Sequence, residues 1–257
     1  MEIVLTIAGS DPSGGAGIQQ DLRTIESLGC YGASVITALT TQNTLGVQSV
    51  MPVPADVVKS QLEAVLSDLD VKAIKIGQIP SADVAHAIAE TLSHHLTPIT
   101  HHPIVLDPVM ISTSGRRLMS EDAIDVVVSE LFPLCTLITP NIPEMETLSG
   151  LSGFNAGNYN LLIKGGHAEG SEMADRLCLT NGTERVYATE KINSTNLHGT
   201  GCALSSAIAS SLALGYSLED AVARGKDYVT EAIRRGKDLG IGHGNGPVFY
   251  KRIDNNE

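Results

Sequence analysis

The sequence predicts an α/β protein, a mostly parallel sheet covered by helices on both faces. Three observations carry this. Short apolar runs alternate with segments of helical periodicity along most of the chain, as expected of strands buried on both faces. The first run, residues 3–8, passes through a glycine loop at Ser13, Gly14, Gly15, Ala16 and Gly17 into a helix, the opening of a βαβ unit. A set of polar residues, Asp21, Gln42, Gln78, Asp107, Asn141, Glu144, Lys164 and Cys202, nearly all follow the C-terminal end of a strand, where open α/β sheets bind ligands.

Taken in order, the run 3–8 is a buried strand ended by Gly9 to Pro12. Residues 18–28 keep Ile18, Leu22, Ile25 and Leu28 on one helical face, and Gly29 closes that helix. A β-branched strand over 33–39 runs into the polar stretch Thr40 to Thr44. A short extra strand covers 47–53, a helix 55–69 and a strand 71–76. Ser81 caps a helix to about 96, and Ser120 caps one to 132. Strands are expected at 104–109, 135–139 and 161–164, with Pro143 suited to the first turn of the helix after the second of these. Asn181-Gly182 joins 176–180 to 184–189 as a hairpin. Helices at 202–214 and 218–236 precede a glycine-rich tail at 240–247. The pairs His94-His95 and His101-His102 read as solvated loop ends, with a metal site as the alternative.

The 257 residues, 42% of them hydrophobic and 18% charged, suit one domain over 1–257, with no repeat or linker. A formal charge of −12 argues against non-specific nucleic-acid binding and against anionic membranes. Aromatic residues are only 4% and Trp is absent, so stacking platforms for bases are scarce. No apolar run is long enough for a transmembrane helix, and the start at Glu2 to Ala8 lacks the basic, long apolar pattern of a signal peptide. Cys30, Cys135, Cys178 and Cys202 form no CxxC pair and no disulfide framework, so the expected setting is the reducing cytoplasm.

The stretch His198-Gly199-Thr200-Gly201-Cys202 leads into an Ala-rich helix. The first N–H groups of a helix lack internal partners and its dipole is positive there, so this turn is suited to an anion such as phosphate. The same field is expected to lower the Cys202 thiol pKa and make it a base toward a hydroxyl. Gly-x-Gly before a helix is also an ordinary turn, and a cysteine beside Ala and Leu is also a small core residue. Asp107 and Glu144 are suitable hard oxygen ligands for Mg²⁺, directly or through water. Lys164 is suited to hold a phosphate as a point charge.

These motifs together resemble the ribokinase-like superfamily, whose fold is a three-layer sandwich. Within it the chain is similar to the hydroxymethylpyrimidine/phosphomethylpyrimidine kinases of thiamine biosynthesis. The carrying stretches are Leu5 to Gln19, Gln42-Asn43-Thr44, Leu106 to Met110, Thr139 to Glu144, Lys164 to His167 and His198 to Cys202. The resemblance implies ATP-dependent phosphorylation of 4-amino-5-hydroxymethyl-2-methylpyrimidine and then of its monophosphate, in a homodimer. It implies Mg²⁺ at Asp107 and Glu144, and an anion hole at Gly199, Thr200, Gly201 and Cys202. Lys164, Asn141 and Thr200 are expected on the nucleotide. Gln42, Asp21, Ala16, Gln78 and Val109 are expected around the pyrimidine ring. Cys202 stands where most of the superfamily has Asp. Gln78 stands where the family usually has Met. Between Gly150 and Leu161 the chain lacks a helix that relatives carry.

Rival readings are a pyridoxal or pyridoxine kinase, a non-catalytic pyrimidine-binding protein on the same fold, and a Cys/His hydrolase using Cys202 and His198. Gln42 favours the aminopyrimidine, because one amide can accept from an exocyclic amine while donating to the adjacent ring nitrogen.

Overall fold

The structure is a computed structural model that describes residues 1–95, 102–112, 114–165 and 172–249. One nine-stranded sheet runs through it. In chain order its strands are β1 (Ile3–Ser10), β2 (Tyr31–Asn43), β3 (Gly46–Pro52), β4 (Val71–Ile76), β5 (Ile104–Leu106), β6 (Leu137–Ile138), β7 (Leu161–Ile163), β8 (Glu172–Cys178) and β9 (Glu184–Glu190). Their spatial order is β3-β2-β1-β4-β5-β6-β7-β8-β9. The strands from β2 across to β7 are parallel, and β3, β8 and β9 are added antiparallel at the edges.

Among the described residues, seven α-helices cover the sheet: α1 (Gly17–Ser27), α2 (Ala55–Leu66), α3 (Ala82–His95), α4 (Glu121–Val126), α5 (Ile142–Ser149), α6 (Thr200–Ala213) and α7 (Leu218–Gly236). Strand alternation sorts the core into two layers. Leu5, Ile7, Ile74, Ile76, Ile104 and Leu106 pack with Val58 and Leu62 of α2 and Val84, Ile88 and Leu92 of α3. Val4, Ala73, Val105 and Leu137 face the other way, onto Ile25 of α1, Ala203, Leu204 and Ile208 of α6, and Val222 and Val229 of α7. The expected fold class, a mostly parallel sheet between two helical layers, is what forms.

The differences from the sequence reading are local. Strand β2 extends through Gln42 to Asn43, because β3 pairs back on it with Gln42 opposite Val47; Gln42 therefore lies in a strand and not in a loop. Ser120 sits at the N-terminus of α4 without a capping bond, and α4 ends at Val126. The remainder of the expected helix widens into a π-type turn over Val127–Leu131 and then tightens into a 3₁₀ turn over Phe132–Leu134, where Pro133 cannot continue an α-helix. Where the resemblance implies a further helix, this chain has a 3₁₀ turn, Ala156–Asn158. Phe154 and Tyr159 stack at 5.8 Å and meet Phe132 edge-on, which closes that edge with aromatic area. Of the two histidine pairs, residues 96–101 lie outside the described residues. No group of three His, Cys, Asp or Glu that could hold a metal occurs among the described residues.

Candidate active site

The site forms at the carboxyl ends of β1 and β4, where the strand order turns from leftward to rightward. The helix that aims at it is α6. Gly199 precedes α6 with φ +82°, and a side chain there would strike the carbonyl of Gly15. The turn before α6 is thereby pressed against the first glycine loop, an approach only glycine permits. Thr200 N donates to Leu197 O and Ala203 N to Gly199 O. The N–H groups of Gly201 and Cys202 have no protein partner among the described residues, so they are the open donors at this helix end.

Two side chains meet Gly201. A Cβ there would stand 3.0 Å from Asp107 Oδ2 and 3.5 Å from Lys164 Nζ. Lys164 Nζ donates to Asp107 Oδ1 at 2.6 Å, and Thr139 Oγ1 donates to the same oxygen at 3.2 Å. Burial works against the Lys164 ammonium, but Asp107 and Glu144 outweigh it and raise its pKa. Glu144 and Asn141 form a capping box on α5: Asn141 Oδ1 accepts from Glu144 N, and Glu144 Oε2 from Asn141 N, each at 2.8 Å. Burial pushes the Glu144 carboxyl up to about 7, and Asp107 adds to that, with Lys164 opposing.

The first glycine loop is not a phosphate cradle. Its N–H groups are already spent on Asp11, whose carboxylate accepts from Ser13 N, Ser13 Oγ, Gly15 N and Ala16 N at 2.7–3.1 Å. His198 Nε2 lies 2.8 Å from the same carboxylate, which links this loop to the turn before α6. Burial opposes the Asp11 charge, but bonds from His198, Ser13 and Gln42 outweigh it and hold its carboxyl far below the usual range. Asp11 is a site residue the sequence reading missed, and the Asx-turn pattern Asp11-Pro12-Ser13 was its signal. The ring of His198 is engaged by Asp11 and not by Cys202, which does not build the Cys/His pair of a hydrolase.

The expected ring residues fall into two groups. Gln42, Ala16 and Val109 are half-buried around Asp11 and Asp107, with Ala16 N on Asp11 and Val109 N on Asp107 O. Gln78 is 9% exposed and its Oε1 lies over Gly9, at the end of β1. Its Nε2 is buried without a partner. Asp21 is a correction. It is fully buried, and both carboxylate oxygens are taken inside the protein by Thr6, Lys75 and Ser206, so it offers no surface to a ring.

Cys202 is the second correction. Burial raises its thiol; Lys75 and the Gly17 N–H oppose this, Asp21 and Asp107 add to it, and the outcome is about 11. Desolvation sets the direction of the shift, opposite to the one expected, and the two carboxylates add to it.

A sequence profile of the family described as Phosphomethylpyrimidine kinase matches residues 11–249. A hydroxymethylpyrimidine/phosphomethylpyrimidine kinase of Rhizobium meliloti is 44% identical over 96% of both chains, and one of Escherichia coli 40% identical over the same shares. Among solved structures, phosphomethylpyrimidine kinase from Clostridium difficile superposes with a TM-score of 0.76 at 42% identity, over 91% of this chain and 100% of that one. Bacillus subtilis pyridoxal kinase, in complex with ADP, superposes with a TM-score of 0.85 at 29% identity over the whole of both chains. A profile matching most of the chain and relatives at this identity over nearly its full length place the chain in the phosphomethylpyrimidine kinase family.

Proposed function

We propose that this protein transfers the γ-phosphoryl group of ATP to 4-amino-5-hydroxymethyl-2-methylpyrimidine, and then a second phosphoryl group to the monophosphate, as one kinase domain. The observation that carries this is the open helix end at Gly201 and Cys202, with Lys164 and Asp107 against it. Such donors stabilise charge on a transferring phosphoryl group. Lys164 exchanges its Asp107 partner for a phosphate oxygen. Thr200 and Asn141 flank the nucleotide side. Gln42 reads the aminopyrimidine edge, with Ala16 and Val109 beside the ring.

Asp107 and Glu144 fit Mg²⁺ as one or two carboxylates that act with substrate phosphates and retained water, because the described residues build no all-protein cage. When bound, the metal shields phosphate charge. Asp21 supports the site from behind. The protein is further read as a cytoplasmic homodimer; the exposed pair Leu39 and Met51, facing each other across β2 and β3, supports a partner at that edge.

In the first reaction the alcohol oxygen attacks phosphorus, its proton passes to Cys202, the new O–P bond forms and ADP leaves. The thiol is protonated at neutral pH, so the reactive thiolate increases about tenfold per pH unit until the thiol titrates. In the second reaction the nucleophile is a phosphate oxygen, anionic above about pH 6. Cys202→Ala is therefore expected to slow phosphorylation of the alcohol by about 10²–10⁴ and largely to spare the monophosphate. The wild-type alcohol rate rises from pH 7 to 9 while the monophosphate rate stays flat. Equal losses, or two flat profiles, remove Cys202 as base. The rival is the pyridoxal reading: pyridoxal kinase superposes with the higher TM-score, 0.85 against 0.76, but at the lower identity, 29% against 42%. Turnover of the pyrimidine alcohol, its monophosphate, pyridoxal and pyridoxine with Mg-ATP decides between the two; no turnover on any of them sinks the kinase reading.

A further inference from the structure

The chemistry above uses one lysine, yet a second lies behind the same helix end. Lys75 is completely buried in the centre of the sheet, a position lysine occupies only when paired. Alternation along β4 turns Ala73 and Lys75 toward α1 and α6, and Lys75 is in register with Thr6 of β1 on that face. Asp21 of α1 closes the cluster. Its Oδ2 accepts from Lys75 Nζ at 2.8 Å and from Thr6 Oγ1 at 2.7 Å, and its Oδ1 accepts from Ser206 Oγ at 2.9 Å. Ser206 follows Cys202 by four residues, so both share one face of α6, a turn apart. A Cβ on Gly77 would stand 2.6 Å from Lys75 Nζ, which puts the ammonium where β4 ends, beside the start of α6.

A well-packed apolar pair would hold these elements together as well as a buried ion pair does. What an apolar pair lacks is charge, and this charge lies behind the anion-binding turn. We propose that Lys75 is a positioning residue: a fixed positive charge, anchored by Asp21, that stabilises negative charge on the Cys202 sulfur and on the phosphoryl group at the end of α6. The inference rests on the reading of Cys202 as base. The charged groups facing the thiol are Lys75 from β4, Asp21 from α1 and Asp107 beyond β5, with Lys164 paired to Asp107. Lys75 is the one that most favours the thiolate.

Two variants test this without leaving a buried carboxylate bare. Lys75→Met with Asp21→Asn removes both charges; the amide oxygen accepts from one of the Thr6 and Ser206 hydroxyls, and the amide nitrogen donates to the other. Lys75→Gln removes the charge and keeps a donor to Asp21. The readout is the pH profile of Cys202 alkylation by iodoacetamide, followed on the Cys202 peptide by mass, beside kcat and KM for both substrates. In Lys75→Gln, alkylation at pH 8–9 is expected to fall about tenfold, the effect of a one-unit displacement; in the double variant the lost Asp21 charge offsets part of this, so the fall is smaller. The kcat for the alcohol should fall with it while KM holds. A wild-type alkylation profile in folded Lys75→Gln overturns the proposal, as does a double variant that is alkylated faster than the wild type. Slower alkylation with unchanged alcohol turnover upholds the charge effect and overturns the base role of Cys202, so the two readings fail separately.

Discussion

Lys164–Asp107 and Lys75–Asp21 are the same chemical pair on two sides of the first turn of α6. The first pair is part open, with the lysine side chain 17% exposed and Asp107 Oδ2 turned to Gly201. The second is sealed, with both side chains at 0% and both Asp21 oxygens satisfied from β1, β4 and α6. An open pair can trade partners, so its lysine is free to take a phosphate. The sealed pair has nothing to trade, and its charges act only through their field and their bonds. Burial thus separates two jobs that residue type does not.

The largest effect that sharpens this contrast is on stability. Asp21→Ala strands the Lys75 ammonium and removes the acceptor of Thr6 and Ser206. Breaking a buried pair from one side costs about 3–5 kcal/mol. Urea unfolding of Asp21→Ala should show a loss of that size, and Asp107→Ala a clearly smaller one. Similar losses in both would erase the distinction.

Next comes the effect on turnover. Lys164→Met should lower kcat by about 10²–10³ for alcohol and monophosphate alike, as expected when a donor to developing charge is lost. The helices and sheet should hold, since Lys164 packs at the rim. A loss confined to one substrate would place Lys164 on the acceptor and not on the transferred phosphate.

Much of this was legible in the sequence. Two-face burial makes strands read as apolar runs, and the bounds of α7 were read correctly because Ala221, Val222, Val229 and Ala232 keep one helical face, with only Lys226 breaking it. The motif at His198 to Cys202 did prove to be a helix start facing an acid and a lysine. The sealed pair was not legible. Lys75 within Val71 to Ile76 reads like any polar strand position until Asp21, 54 residues earlier, is folded against it. Nor was the direction of the Cys202 shift, which is the sum of burial and charges from three separate elements. Local patterns fix elements; the sign of a field depends on what packs from elsewhere.

Strand β4 is followed, three residues after Lys75, by the reverse case. Lys75 is a buried donor with its acceptor in place, whereas Gln78 Nε2 is a buried donor with none. An unmet donor costs about 1–3 kcal/mol. Gln78→Met removes that donor with little change of volume and restores the apolar side chain that the resemblance implies at this position. The expected result is a protein about 1 kcal/mol more stable to urea, with kcat/KM for the pyrimidine alcohol raised a few fold. The opposite result is equally informative. If Gln78→Met is more stable yet loses about 1–3 kcal/mol of transition-state binding, the amide is held unsatisfied in the free protein because the ring completes it. Replacing the ring nitrogen by CH in the substrate then identifies the bond: the wild type should lose affinity for that analogue, and Gln78→Met should not. If neither stability nor turnover moves, Gln78 Nε2 has a water partner, and the contrast with Lys75 disappears.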